Sequence, residues 1–199
     1  KPIIEDDIKL PQEICNLVTS IKNFSQGRKI IIYQGIISKE RPIDVFIKAI
    51  EKRSDEYCFI IMGNKKPDFP IDDNFCYFVP FIKPPYHLAI TEIAYIGVLV
   101  YVSTKDTAYS ELNAVYCAPN KIWEYSKFGI PMVANDLPSL KPIFEEKNIG
   151  ICIDDINEDN ILKAFDKVVL NYDNMHSNSL KFYDTCDMEC SINKIFSKD

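Results

Sequence analysis

Short apolar runs alternate with stretches whose apolar residues recur at helical spacing, and this alternation constrains the chain more than any other feature. Lys29 to Tyr33 (KIIIY), Tyr57 to Met62 (YCFIIM), Phe75 to Val79, Val98 to Val102, and residues 131 to 134 and 149 to 153 are near-continuous apolar segments of strand length. Segments of this kind are buried on both faces of a sheet. Between them, Ile43, Phe46, Ile47 and Ile50 mark one face of a helix, and further helices are predicted over about Tyr86 to Tyr95, 120 to 128 and 139 to 147. Ile161, Ala164, Phe165, Val168 and Val169 mark another, after a cap at Asn157. The alternation implies a parallel sheet with helices on both faces, a doubly wound Rossmann-like α/β domain. In such folds ligands bind beyond the carboxyl ends of the strands, where the strand order reverses. Gly35, Gly63 and the loop from Ser103 to Cys117 all fall at such ends.

The ends of the chain divide as residues 1–28 and 29–199. The first part reads as a charged, aperiodic linker to Leu10 and then a helix after Pro11, carried by Ile14, Leu17, Val18 and Ile21. The second part is the α/β domain with carboxy-terminal helices, the last predicted over much of Leu180 to Phe196. Asn64 to Asn74, rich in Lys, Pro and Asp, reads as a surface loop, and Pro84 and Pro85 mark a turn. The chain starts on Lys1 rather than Met, which reads as a fragment.

Composition narrows the partners. A formal charge of -6 and a pI near 5.0 leave no electrostatic footprint for nucleic acid or anionic lipid, so any phosphate site must be local. The apolar run Ile93 to Val102 is too short for a membrane span and is interrupted by Tyr95 and Gly97. Seven scattered cysteines, odd in number and mostly among apolar neighbours, read as reduced thiols of a cytoplasmic protein. Cys186 and Cys190 share a helical spacing, with His176 upstream, yet they lack a fourth ligand, so neither metal nor cofactor is expected.

The stretch Ala118 to Leu137, APNKIWEYSKFG followed by IPMVANDL, carries the strongest functional signal. Pro119 suits a first helical position and Gly129 a left-handed helix end. The helix mouth so defined offers unpaired N–H groups to an anion such as phosphate, with Glu124 just inside it. This stretch resembles the donor site of glycosyltransferase family 4, among the GT-B glycosyltransferases, whose members carry a pattern like APNKxxEYxxxGxPVVxxD. Tyr33 to Arg41 (YQGIISKER) is similar to that family's first strand and phosphate loop, and Ile60 to Gly63 (IIMG) to its second strand. The resemblance covers about residues 30 to 153.

The resemblance implies one half of a GT-B fold that binds a UDP- or GDP-sugar. Catalysis would be shared with an amino-terminal domain holding the acceptor, a glycan or lipid-linked sugar. It assigns Gly35 to the tight turn at the phosphates and Arg41, with Lys39, to the diphosphate. Ile36 stands where the family usually has a further arginine. Glu124 matches the second glutamate of an E-x7-E motif, which hydrogen-bonds the ribose hydroxyls, and Tyr116 stands where the first glutamate, a sugar contact, belongs. Glu111 or Asn113 could replace it. Asn120 and Lys121 at the helix mouth are assigned to phosphate or sugar, Gly63 to the strand end beside them, and Arg41 and Lys121 to catalysis. A location peripheral to the membrane would come through the other domain, and retention of anomeric configuration is the commoner outcome in that family. Trp123 and Tyr125 read as core, His87 as a surface helix residue, and Tyr33 and Met62 as neighbours of a nucleobase. A non-catalytic nucleotide-binding or interaction domain on the same half-fold is the alternative. A flavodoxin-like signalling domain would require an acidic cluster that the strand ends do not offer.

Overall fold

The computed structural model describes residues 9–103, 112 and 115–185. In chain order the elements are α1 (Gln12–Ser25), β1 (Lys29–Gly35), α2 (Ile43–Glu51), β2 (Tyr57–Gly63), β3 (Cys76–Pro80), α3 (Leu88–Thr91), β4 (Ile96–Leu99), α4 (Lys121–Lys127), β5 (Met132–Asn135), α5 (Lys141–Lys147), β6 (Gly150–Ile153), α6 (Glu158–Leu170) and α7 (Tyr172–Thr185). The six strands form one all-parallel sheet in the order β3-β2-β1-β4-β5-β6. The order reverses between β1 and β4. That is the switch point at which a doubly wound sheet opens a crevice.

The alternation along each strand explains the two cores. Ile31, Tyr33, Phe59, Ile61 and Val98 point to the face covered by α2 and α6, where Phe46, Ile50, Phe165 and Val168 meet them. Ile30, Ile32, Ile60, Met62 and Leu99 point to the other, against Ile21 of α1, Ile90 of α3, Tyr125 of α4, Phe144 of α5 and Phe182 of α7. Side chains of successive strand residues go to opposite faces, so strands covered twice must be apolar throughout. β2 is buried at all seven positions.

Asn157 caps α6 as expected, its Oδ1 accepting from the Asn160 N–H at 2.9 Å. Gly129 ends α4 at φ 66°. At the amino-terminal end of the strands, opposite the carboxyl ends, the Arg28 guanidinium donates to the carbonyls of Phe24, Ser25, Ser54 and Asn74 and ties three connections together.

Three boundaries differ from expectation, each for a reason beyond local pattern. β4 spans Ile96–Leu99 rather than Val98 to Val102, because the Tyr101 N–H and carbonyl are taken by the Asn135 side-chain amide, at 2.9 and 2.8 Å, which draws the chain out of the ladder. The helix expected over Tyr86 to Tyr95 is reduced to Leu88–Thr91, since the chain must turn so that the Tyr95 N–H reaches the Ile30 carbonyl at 2.7 Å. α7 begins at Tyr172, ahead of the expected Leu180. Its buried stripe is Met175, Ser179 and Phe182, too polar to read as an apolar periodicity.

The expected helix positions beyond Thr185, the residues up to 8, Cys186, Cys190, Glu111, Asn113 and most of the residues before Cys117 lie outside the described residues. Among the described residues, Cys58 and Cys76 are buried and Cys15, Cys117 and Cys152 half-buried, all as free thiols. Among them too, no cluster of three or more His, Cys, Asp or Glu is placed to hold a metal ion. No helix among them is long and apolar enough to cross a membrane.

Candidate functional site

A cavity of about 430 Å³ opens at the switch point, beyond the carboxyl ends of β1 and β2 and against the first turn of α4. β1 and the turn after it deliver Gln34, Gly35 and Ile36 to it, β2 and the residue after it deliver Met62, Gly63 and Asn64, and the start of α4 with the residue before it brings Asn120, Lys121 and Glu124. Phe81, Ile82, Pro84 and His87, between β3 and α3, complete the wall.

The turn after β1 has a defined shape. Gly35 sits at φ 135°, a conformation that side chains oppose. Gly63 is required for another reason: a Cβ there would lie 2.7 Å from Ile37 Cδ1 and 2.9 Å from the Gly35 carbonyl oxygen. The turn is further held by the Tyr33 hydroxyl, which donates to the Ile36 carbonyl at 2.5 Å, and by the Ile37 N–H, which donates to Asn64 Oδ1 at 3.0 Å.

Lys121 reaches back over this turn. Its Nζ lies 4.4 Å from the centre of the Tyr33 ring, 5.2 Å from that of Tyr101, and 3.2 Å from where a Gly35 Cβ would stand. Arg41 packs its guanidinium 4.0 Å from the centre of the same Tyr101 ring and donates Nη1 to the Glu40 carbonyl. Two cations thus share one aromatic platform beside Gly35. Burial first, and the Arg41 charge second, push the Lys121 ammonium down to about 7, against the opposing pull of Glu124 and Cys117. Burial raises the phenols of Tyr33 and Tyr101 and the Cys117 thiol, which keeps all three neutral.

Glu124 is the carboxylate of the cavity. The Gln34 amide donates to its Oε2 at 2.5 Å, and His87 Nε2 lies 3.4 Å from its Oε1. Gln34 is in turn held by the Thr91 hydroxyl, which donates to its Oε1 at 2.7 Å. The arrangement therefore combines an apolar wall of Met62, Phe81, Ile82 and Pro84 with a fixed carboxylate and a cationic corner. It suits a ligand with an apolar planar part, hydroxyl donors and an anion.

The structure brings five of the sequence-assigned residues, Gly35, Gly63, Asn120, Lys121 and Glu124, into one wall, with Arg41 beside it. Lys39 is exposed on the following turn, and Tyr116, 73% exposed, lies outside the wall. α4 starts at Lys121, with Asn120 already in helical conformation and the Pro119 carbonyl accepting from the Ile122 N–H, so Pro119 precedes the helix rather than opening it. Trp123 is half-buried and packs against the core, stacked on Phe182 with ring centres 4.5 Å apart. His87, read from sequence as a surface residue, instead has a side chain only 15% exposed and faces Glu124. Gln34 and Thr91 carried no sequence signal, since a single polar residue at a strand end and one in a short helix are unremarkable until the fold joins them.

No protein-family model and no curated protein matches the chain in sequence. In structure it is similar to Anabaena Alr3699/HepE in complex with UDP-glucose, with a TM-score of 0.67 and 12% identity over 96% of this chain and 52% of that one. It is also similar to WaaG, a glycosyltransferase involved in lipopolysaccharide biosynthesis, with a TM-score of 0.64 and 12% identity over 95% of this chain and 52% of that one. A third similar structure is the C-terminal domain of LpcC, a glycosyl transferase group 1 family protein from Francisella tularensis. Its TM-score is 0.58 and its identity 15%, over 91% of this chain and 95% of that domain. The chain spans about half the length of HepE and WaaG. Its fold is therefore that of one Rossmann-like half of the GT-B glycosyltransferases.

Proposed function

We propose that the chain is the donor-binding half of a glycosyltransferase that takes a sugar from a UDP- or GDP-sugar to a glycan or lipid-linked acceptor held by a second domain. The observation that carries this reading is the switch-point cavity, where the Glu124 carboxylate and Lys121 meet an apolar wall, with Arg41 beside it on the Tyr101 ring that Lys121 also faces. The HepE and WaaG likenesses favour it over other uses of the same fold. Glu124 accepts from the ribose hydroxyls, the apolar wall takes the base, and Lys121 and Arg41 hold the diphosphate. When the bond from the sugar C1 to the diphosphate oxygen breaks, negative charge accumulates on the diphosphate. The two cations, fixed in place before reaction, stabilise it there.

A binding domain without turnover is the second reading. Two observations favour it: Ile36 lines the cavity, 56% exposed, where the resembling family has arginine, and Tyr116 lies outside the wall where that family has glutamate. Both readings require nucleotide binding, and only the first requires transfer when the chain is joined to an acceptor domain.

Thermal shift and calorimetry with UDP, GDP, ADP, dTDP and CMP test the common step. A ligand at a hundred times its dissociation constant adds about 2.7 kcal/mol of stability, and selective gain with one diphosphate is the expected result. No gain with any of them would sink the nucleotide reading. Arg41→Ala should weaken that diphosphate by about tenfold, the scale of one charge-assisted hydrogen bond, and leave the nucleoside nearly unchanged. Equal losses for both would remove Arg41 from the phosphate site.

A further inference from the structure

We infer that Gln34 is a positioning residue: its amide, locked by Thr91, sets the rotamer of Glu124 and thereby the preference of the cavity for a ribose diol. This rests on the ribose reading of Glu124 given above. Gln34 is 4% exposed and Thr91 fully buried, so every polar atom of the pair needs a partner inside the protein. The Thr91 hydroxyl donates to Gln34 Oε1 at 2.7 Å and lies 3.3 Å from the His87 carbonyl. A hydroxyl donating to Oε1 leaves the amide nitrogen facing Glu124, where it donates to Oε2 at 2.5 Å. Turning the amide over would set its oxygen against a carboxylate oxygen, with no proton between them.

Three elements meet in this chain of bonds: Thr91 from α3, Gln34 from β1 and Glu124 from α4. It spans the crevice floor and leaves the outer part of the carboxylate available. His87 Nε2, at 3.4 Å from Oε1, is beyond the range of a good N–H···O bond, so Oε1 keeps its capacity to accept. A carboxylate held on one oxygen and open on the other is pre-organised to accept from a hydroxyl pair. Without the amide it must pay the loss of side-chain rotation each time a ligand binds.

The test compares UDP with 2′,3′-dideoxy-UDP by calorimetry. The wild-type chain is expected to prefer UDP by about tenfold or more, the scale of hydrogen bonds to a charged acceptor, and Glu124→Ala to lose that preference. Gln34→Leu and Thr91→Val should each reduce it at least about threefold while the ratio of UDP to UMP affinity stays at its wild-type value. A residue that merely fills space would lower both ratios or neither. Thr91→Val preserves shape and lies away from the cavity wall, so it carries the test if Gln34→Leu does not fold. Full discrimination retained by a folded Thr91→Val or Gln34→Leu overturns the positioning role while leaving Glu124 its ribose contact. Equal binding of both nucleotides by the wild type, or binding of neither, removes the ribose contact itself and the positioning role with it.

Discussion

If the chain holds a nucleoside diphosphate as proposed, its affinity should fall by up to about tenfold for each pH unit between the free lysine value of about 7 and the higher value of the complex, and Lys121→Met should remove both that slope and most of the affinity. The reason lies in what surrounds the ammonium. Tyr33 and Tyr101 present ring faces to it, Arg41 stands across Tyr101 with a fixed positive charge, and the neighbouring phenols and thiol are neutral. Glu124 is the main group that opposes the loss of the proton, with Cys117 second, and the Glu124 carboxylate is already bonded by the Gln34 amide. The ligand-free amine therefore titrates near 7, and a bound diphosphate raises it again by supplying the missing counter-charge. Binding then takes up a proton wherever the pH lies between the free and bound values. At pH 8, calorimetry in buffers of different ionisation heat should report uptake of about half a proton or more by the wild type and none by Lys121→Met. The lost interaction with a diphosphate is worth about 1.5 to 3 kcal/mol, roughly tenfold to a hundredfold in dissociation constant. The sign for stability runs the other way: the folded value lies below the ordinary 10.5, the unfolded chain binds more protons between the two, and so this group makes the ligand-free fold more stable as pH rises through that window. Equal affinity for the diphosphate at pH 6.5 and 8.5 would mean that Lys121 does not hold it.

The alternation of apolar runs was enough to expect the parallel sheet, because strands covered on both faces leave a signature in every residue of the strand. Ile30 to Tyr33 and Tyr57 to Met62 are buried throughout. The cap at Asn157 and the turn at Gly129 were equally legible, since each depends on one residue and its own backbone. What the sequence withheld is the set of partners that the fold brings in from a distance. Gln34 is separated by 90 residues from Glu124 and His87 by 37, and neither spacing has any meaning before β1, α3 and α4 converge. The same holds for Asn135, which ends β4 by bonding Tyr101 from 34 residues away. Lys121 was placed at the helix mouth, where a charge would be solvated. Its packing on the Tyr33 ring and the Gly35 turn, which makes its proton labile, required the tertiary structure.

Two glycines separate the stability of the sheet from the geometry of the site. Gly97 in β4 lies under the ring of Tyr125, and a Cβ there would be 2.5 Å from Tyr125 Cδ2 and 2.8 Å from Cγ. That ring is fully buried and its hydroxyl lies 3.4 Å from the Ile32 carbonyl, so it has nowhere to swing. Relief comes only by lifting α4 from the sheet, and α4 carries both Lys121 and Glu124. Gly150 in β6 meets a comparable obstacle far from the cavity, where a Cβ would be 2.0 Å from the Met132 carbonyl oxygen, backbone that is paired with β4 on its other side. Overpacking a well-filled interior costs about 1 to 3 kcal/mol, with the upper end apt where backbone or a trapped ring must move. Each Gly→Ala change should thus lower the melting temperature by roughly 6 to 12 °C. The nucleotide affinities should then part company. Gly150→Ala, measured below its melting point, keeps the wild-type dissociation constant, whereas Gly97→Ala weakens it by about tenfold or more as the ammonium and carboxylate leave the Gly35 turn. Gly97→Ala binding as tightly as Gly150→Ala would show that the site does not depend on how closely α4 is seated against β4.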